Sequence, residues 1–229
     1  MSLIPIAPPT REPFGLTYIT TASSTANATS YTFSSQSLGN PDQGRYIVIA
    51  ASSRRNGSFT TISGVTVAGV TATAAVTIEY NGGVNNGTFN GLWIAAVPTG
   101  TTGDVVVSCG SNTHGAAAAS IYRLVGVSSA TPATTASDEE GVALSLNLNT
   151  TARSALIAVR GSADLTSANW VGITEQIDSA IQTGSINSNF AFSSGLFLTS
   201  AAETPRTVSV TSSGGNDRQG AVVAAWTAA

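Results

Sequence analysis

The sequence predicts an all-β protein, a two-sheet antiparallel β-sandwich of jelly-roll type. Helical spacing of apolar residues is nearly absent. Short runs rich in Val, Ile, Thr, Tyr and Phe alternate instead with Gly, Asn, Pro and Ser, which is the pattern of strands and turns. The second observation is a repeat, because residues 91–108 (GLWIAAVPTGTTGDVVVS) and 195–212 (GLFLTSAAETPRTVSVTS) resemble each other. A chain of 229 residues suits one large all-β domain.

The first half contains a series of predicted strands. Residues 30–38 alternate Tyr31 and Phe33 with polar neighbours, and 39–44 (GNPDQG) is a turn by its residue types. Residues 46–51 are continuously apolar, which predicts a central strand covered on both faces. Four more predicted strands lie in the remaining apolar runs: two within 62–80, then 92–97 and 104–109, before a long Ala-rich strand at 116–126.

The second half repeats this order at an offset of about 105 residues, so we interpret 31–126 and 142–227 as two diverged copies of one unit. Residues 127–141 (VSSATPATTASDEEG) are the predicted loop between them. Residues 1–30 form a predicted extended arm and lead-in, and 31–229 form the sandwich. The alternative arrangement is two small sandwiches in tandem.

Composition limits the partners. Charged residues make up 9% of the chain, against about 25% in typical soluble domains. All nine basic residues are arginine, and they cluster only at Arg54-Arg55. We therefore expect no nucleic-acid partner, since binding the phosphate backbone needs many basic side chains. No apolar run approaches 18 residues, so we expect no membrane span.

Groups suited to catalysis or to holding a cofactor are few. Cys109 reads as a small residue that ends a strand, and His114 as a histidine of a surface loop. Glu79 and Glu175 fall near strand ends in the two copies and could form a symmetric carboxylate pair for glycoside hydrolysis, but edge or turn glutamates on a solvated face explain both. Residues 138–140 (DEE) are a solvated loop or, alternatively, a cation site. We expect no cofactor, no metal and no enzymatic activity.

Aromatic residues fall into two groups. One group lies in apolar runs and is assigned to the core: Trp93, Trp170, Phe192, Phe197 and Trp226. The other borders an Asn- and Gly-rich loop at 80–91, where rings and amides are candidates to stack on and hydrogen-bond a sugar. The candidate glycan contacts are Tyr80, Asn81, Asn85, Asn86 and Phe89.

The N-terminal segment 1–13 (MSLIPIAPPTREP) contains four prolines, which remove backbone donors and favour an extended chain. Its apolar side chains Leu3, Ile4 and Ile6 predict an arm that lies on a partner.

Several strings carry a resemblance to a known group: ISGVTVAGVTATAAV, GLWIAAVPTGTTGDVVVS, SIYRLVG and ETPRTVSVTSSG. They resemble all-β proteins of tailed bacteriophages, prophages and gene transfer agents that are virion surface components of the head or tail. The resemblance spans residues 31–227 and implies a sandwich displayed on a particle, with no catalytic residues.

These observations predict a non-enzymatic virion structural protein: a decoration, spike or fibre-associated subunit. It would be made in the host cytoplasm and displayed on the virion surface. Its expected partners are other capsid or tail proteins and further copies of itself. The alternative is a carbohydrate-binding module that recognises a host surface glycan, and a remote third is a glycan-cleaving enzyme.

Overall fold

The protein folds into antiparallel β-structure. The structure, a computed structural model, describes residues 13–55, 61–81, 87–181, 189–214 and 218–229, and these contain no helix. The first half contains β1 (Gly15–Ser24), β2 (Ser30–Ser37), β3 (Tyr46–Arg55), β4 (Gly64–Val67), β5 (Val70–Thr71), β6 (Thr73–Tyr80), β7 (Thr88–Ala96), β8 (Thr102–Ser108) and β9 (His114–Val125). The second contains β10 (Thr134–Glu139), β11 (Ala143–Thr150), β12 (Ser154–Ser162), β13 (Ala168–Val171), β14 (Thr174–Ile181), β15 (Phe190–Leu198), β16 (Glu203–Ser212) and β17 (Gln219–Thr227).

The described strands form four sheets. In the first half, β1-β9-β3-β7-β6 make inner sheet 1 and β2-β8-β4-β5 make outer sheet 1. In the second half, β10-β17-β12-β15-β14 make inner sheet 2 and β11-β16-β13 make outer sheet 2. Apart from the short β5, the strand order of the two halves is the same. This order agrees with the predicted duplication and jelly-roll type, both of which stay predictions.

The sheets stack in four layers because the inner sheets are apolar on both faces. In β3, Ile47 and Ile49 pack towards outer sheet 1, whereas Val48 and Ala50 pack towards inner sheet 2. This confirms the prediction of a central strand covered on both faces. Outer strands instead alternate: in β11, Leu144, Leu146 and Leu148 are buried and their neighbours are polar or exposed.

The all-β prediction is confirmed, but the number of sheets differs from the expected two. Each half closes its own pair of sheets, and the two pairs pack through their inner sheets. The reason is that each copy carries strands with two apolar faces, so one face remains to be covered after the outer sheet is in place. Each half thus forms its own pair of sheets, as the tandem hypothesis expected. The two pairs also pack against each other, as expected if both copies share one core.

Two boundaries are corrected as well. Gly15–Ser24, inside the predicted arm and lead-in, forms edge strand β1 beside β9. Thr134–Glu139, inside the predicted loop 127–141, forms edge strand β10 beside β17. Both were missed because β1 (GLTYITTASS) and β10 (TTASDE) are rich in Thr, Ser and Ala and have no long apolar run.

Candidate functional site

Ionisable groups concentrate at one end of the stack, where β3 and β12 end and β17 begins. Four arginines lie there, and we call them the arginine cluster: Arg54, Arg55, Arg160 and Arg218. The first three are almost fully buried. Because burying a cation is costly, the partners of each guanidinium show what the cluster does.

Arg54 connects the two halves. It is 1% exposed, and its Nε donates to the Asn189 carbonyl at 3.0 Å while one terminal nitrogen donates to the Gly87 carbonyl at 3.2 Å. Burial, followed by the charge of Arg218, lowers its pKa to about 10, so it stays protonated at neutral pH. Arg54 therefore fixes the start of β7 against the segment before β15.

Arg55 anchors the end of β6. Its guanidinium contacts the Glu79 carboxylate at 3.2 Å and donates to the Asn81 side-chain oxygen at 2.8 Å. Burial raises the pKa of Glu79, and the nearby Arg55 only partly offsets that rise. Asn81, a predicted glycan contact, is thus engaged within the protein.

Arg160 lies inside the second half and is fully buried. It donates to the Gln219 side-chain oxygen, to the Thr166 hydroxyl at 2.8 Å and to the Thr166 carbonyl at 3.2 Å. Burial lowers its pKa to about 10, although Asp178 and Asp164 act in the opposite direction. Arg218 forms an ion pair with Asp164 at 3.2 Å. The donors of the cluster described here point at protein oxygens, so its role is to hold strand ends together.

The predicted glycan contacts are only partly where they were expected. Tyr80 and Phe89 are 7% and 8% exposed, so neither ring is an open stacking surface, which corrects the prediction for both. The cause is that β6 extends through Tyr80 and β7 already includes Phe89. Phe89 packs beside Trp93 with ring centroids 6.3 Å apart. Asn85 and Asn86 lie outside the described residues.

His114 and Cys109 are both buried, between the end of β8 and the start of β9. The Ser53 hydroxyl lies 2.8 Å from His114 Nδ1. Burial lowers the pKa of His114 to about 4, helped by Arg55, and raises that of Cys109 to about 12. Both are therefore neutral near pH 7. The expectation of a surface-loop histidine was wrong, because His114 begins the buried strand β9. Cys109 is buried and follows directly after β8, which agrees with the prediction of a small residue at the end of a strand.

The carboxylates are dispersed. Glu79 on β6 and Glu175 on β14 lie on the far edges of different inner sheets, so they form no pair. Asp138 accepts backbone N–H groups of Glu139 at 3.0 Å and Ser145 at 2.8 Å, and it lies on strand β10 rather than in a loop. Within the described ranges, no group of three His, Cys, Asp or Glu is placed to hold a metal ion.

A groove of about 420 Å³ lies where the β6 edge of inner sheet 1 meets the β10 edge of inner sheet 2. One wall comes from residues 73–75 and Ile94, and the other from residues 130–135. All of these residues are uncharged. The predicted arm residues Leu3, Ile4 and Ile6 lie outside the described residues.

No protein-family model matches the chain, and no curated protein matches it either. The resemblance to phage surface proteins therefore remains a prediction. In the part of the chain that the structure describes, no helix has the length and apolar character needed to cross a membrane.

The buried arginines were missed by the sequence analysis. Their signal is a single arginine within or directly after an apolar strand run, as in ALIAVRGS around Arg160. Such an arginine must be either exposed at an edge or satisfied internally, and the buried neighbours on both sides favour the second.

Proposed function

We propose that the protein is a non-catalytic structural protein displayed on the surface of a phage-like particle. The observation that carries the proposal is how the fold uses its ionisable groups. Arg54, Arg160 and His114 are buried and hydrogen-bonded to other parts of the fold, and Cys109 is buried as well. The ionisable side chains named here therefore have a structural role within the fold.

The outer faces of the stack support the same proposal. On β2, Ser30, Thr32 and Ser34 point outwards, and on β11, Ser145 and Asn147 do so. Both outer sheets therefore present rows of uncharged hydroxyl and amide groups. Such faces stay solvated with little electrostatic attraction to charged polymers, which suits a protein exposed on a particle.

Particle association tests the proposal. The strain that encodes the protein is induced, the particles are purified on a density gradient, and the protein is quantified against a major capsid or tail protein. We expect a fixed stoichiometry and surface labelling by antibody. Particles from a strain in which the gene is deleted serve as the control and should regain the protein when it is added back. Loss of the protein during purification contradicts the proposal.

Carbohydrate binding remains the alternative prediction. The buried rings of Tyr80 and Phe89 and the engaged amide of Asn81 weaken its original basis. A glycan array probed with the purified protein distinguishes the two, since the structural proposal requires no glycan signal.

A further inference from the structure

The groove between β6 and β10 marks a place where the two halves differ. Residues 20–23 and 134–137 are both TTAS. When the two halves are aligned on this match, Leu16 is equivalent to Ala130 and Tyr18 is equivalent to Pro132. In the first half, Leu16 is 8% exposed and the Tyr18 ring packs 5.6 Å from the Tyr122 ring. The second half has small side chains at the matching positions, so its edge lacks that apolar volume.

The chemistry of the groove is specific. Its lining consists of alanine, threonine, proline and one isoleucine, with no charged group. Its volume falls within the roughly 300–1,000 Å³ range of clefts that bury a drug-sized ligand. The lining offers methyl groups and threonine hydroxyls but no charge, so an occupant should be uncharged and narrow.

The N-terminal residues 3–9 (LIPIAPP) have these properties. They carry no charge, three of the seven are proline, and the others are leucine, isoleucine or alanine. Proline lacks an N–H donor and favours an extended chain, so such a segment can be buried without orphaned donors at those positions.

The arm also starts close to the groove. Pro13 lies against Gly126, where an added Cβ would be 3.1 Å from the Pro13 carbonyl carbon. From Gly126 the chain runs to Ala130, the first groove residue of that wall, over at most about 14 Å. Twelve residues reach about 40 Å when extended, so the arm can cross this distance and lie along the groove.

We propose that residues 3–9 occupy the groove between β6 and β10 of their own chain. The tether favours this occupant over the arm of a second copy in dilute solution, because a short linker raises the effective concentration to the millimolar range. In this proposal the groove of the same chain, rather than another protein, is the surface that covers the apolar side chains of the arm. The inference does not depend on the proposed particle function.

Disulfide trapping tests the proposal. Ile4→Cys is paired with Thr131→Cys in the groove wall, and the control pairs Ile4→Cys with Thr211→Cys, which is exposed on outer sheet 2. Cys109 can remain, since it is fully buried. With 1 µM protein and mild oxidation, we expect the groove pair to form an intramolecular disulfide about tenfold faster than the control. Equal rates overturn the proposal.

A further variant separates docking from mere tethering. Adding Ile6→Asp to the groove pair places a charge in the segment that should be buried, so we expect the rate to fall to that of the control. An unchanged rate overturns the proposal. Disulfide-linked dimers as the main product also overturn it and assign the groove to the arm of a second copy.

Discussion

Gly161 on β12 lies against Ser52 on β3, at the contact between the two inner sheets. A Cβ on Gly161 would stand 2.0 Å from the Ser52 hydroxyl oxygen and 2.2 Å from the Asn90 side-chain oxygen. Ser52 donates to that same Asn90 oxygen at 2.6 Å. Because Gly161 has no side chain, the hydrogen-bonded pair Ser52 and Asn90 of the first half can contact the backbone of β12 directly.

The first prediction follows from this contact. Gly161→Ala should destabilise the protein by about 1–3 kcal/mol, because the added methyl overpacks the interface. The melting temperature should fall by several degrees, at about 2–4 °C per kcal/mol for a chain of this size. Gly64→Ala is the control, since its added Cβ would meet nothing within 4 Å. Equal melting temperatures for the two variants would contradict the prediction.

The second prediction concerns Arg45, which is 1% exposed and closes the turns at the other end of the first half. Its five guanidinium hydrogen bonds go to the carbonyl oxygens of Leu38, Gly39, Val97, Thr99 and Gly100. Burial, followed by the charge of Arg123, lowers its pKa. The planar fork matches several carbonyls at once in a way that an ammonium group cannot.

Arg45→Lys should therefore cost about 2–4 kcal/mol, because several carbonyls lose a charged donor. Urea unfolding measures the loss. Arg153→Lys is the matched control: Arg153 is exposed and lies 5.7 Å from the Phe14 ring, where a lysine can take the same position. The interpretation of Arg45 is wrong if both variants unfold at the same urea concentration.

The sequence predicted the strands with strong apolar patterns and missed those at the edges. Continuous burial of β3 and the alternation of β11 follow from residue periodicity alone. β1 and β10 have no such pattern, because their outer sides face solvent and hold Thr, Ser and Ala. Their shared TTAS, which marks the first strand of each half, was the available signal.

The site residues were harder to predict because burial depends on how sheets stack. The Asn and Gly residues indicated a connection near 80–91. They could not show that Tyr80 belongs to β6 and Phe89 to β7, or that both side chains are buried. His114 likewise follows a Gly- and Ser-rich stretch, and only its pairing with Arg55 on β3 places it inside. Periodicity reports which face is apolar but not what covers it.

The third prediction uses the lowered pKa of His114. Burial, followed by the charge of Arg55, lowers it from 6.5 to about 4 in the folded protein. Between these values the unfolded chain binds the proton and the folded protein does not. Stability should therefore fall as pH drops from about 6.5 to about 4, with a slope of up to about 1.4 kcal/mol per pH unit. Above that window the contribution is constant.

His114→Asn tests this, since its amide can reach the Ser53 hydroxyl without titrating. Urea unfolding of both proteins from pH 7.5 to 4.5 should give curves whose difference shrinks in acid, where the wild type loses more stability. Comparing the two also cancels Glu79 and Asp178, whose pKa values are raised by burial and act in the opposite sense. Parallel curves would show that His114 titrates normally.

The last prediction concerns the interface between the halves. Val48 and Leu92 of inner sheet 1 pack with Phe192 and Trp226 of inner sheet 2, and all four are fully or almost fully buried. Polar bonds cross the same interface. The Ser194 hydroxyl lies 2.9 Å from that of Ser120 and accepts from the Tyr122 hydroxyl at 2.7 Å. Separating the halves would expose these groups together.

Residues 1–126 and 127–229 should therefore each fail to fold alone, and co-expression should give a one-to-one complex. Each large apolar side chain returned to water loses about 1.5–3 kcal/mol, so a few of them equal the usual net stability of about 5–15 kcal/mol. Circular dichroism during heating measures the outcome. Adding Leu92→Asp to the co-expressed pair should abolish the complex, because it places a charge in the apolar contact. A cooperative melt from either half alone would show that each pair of sheets is an independent domain.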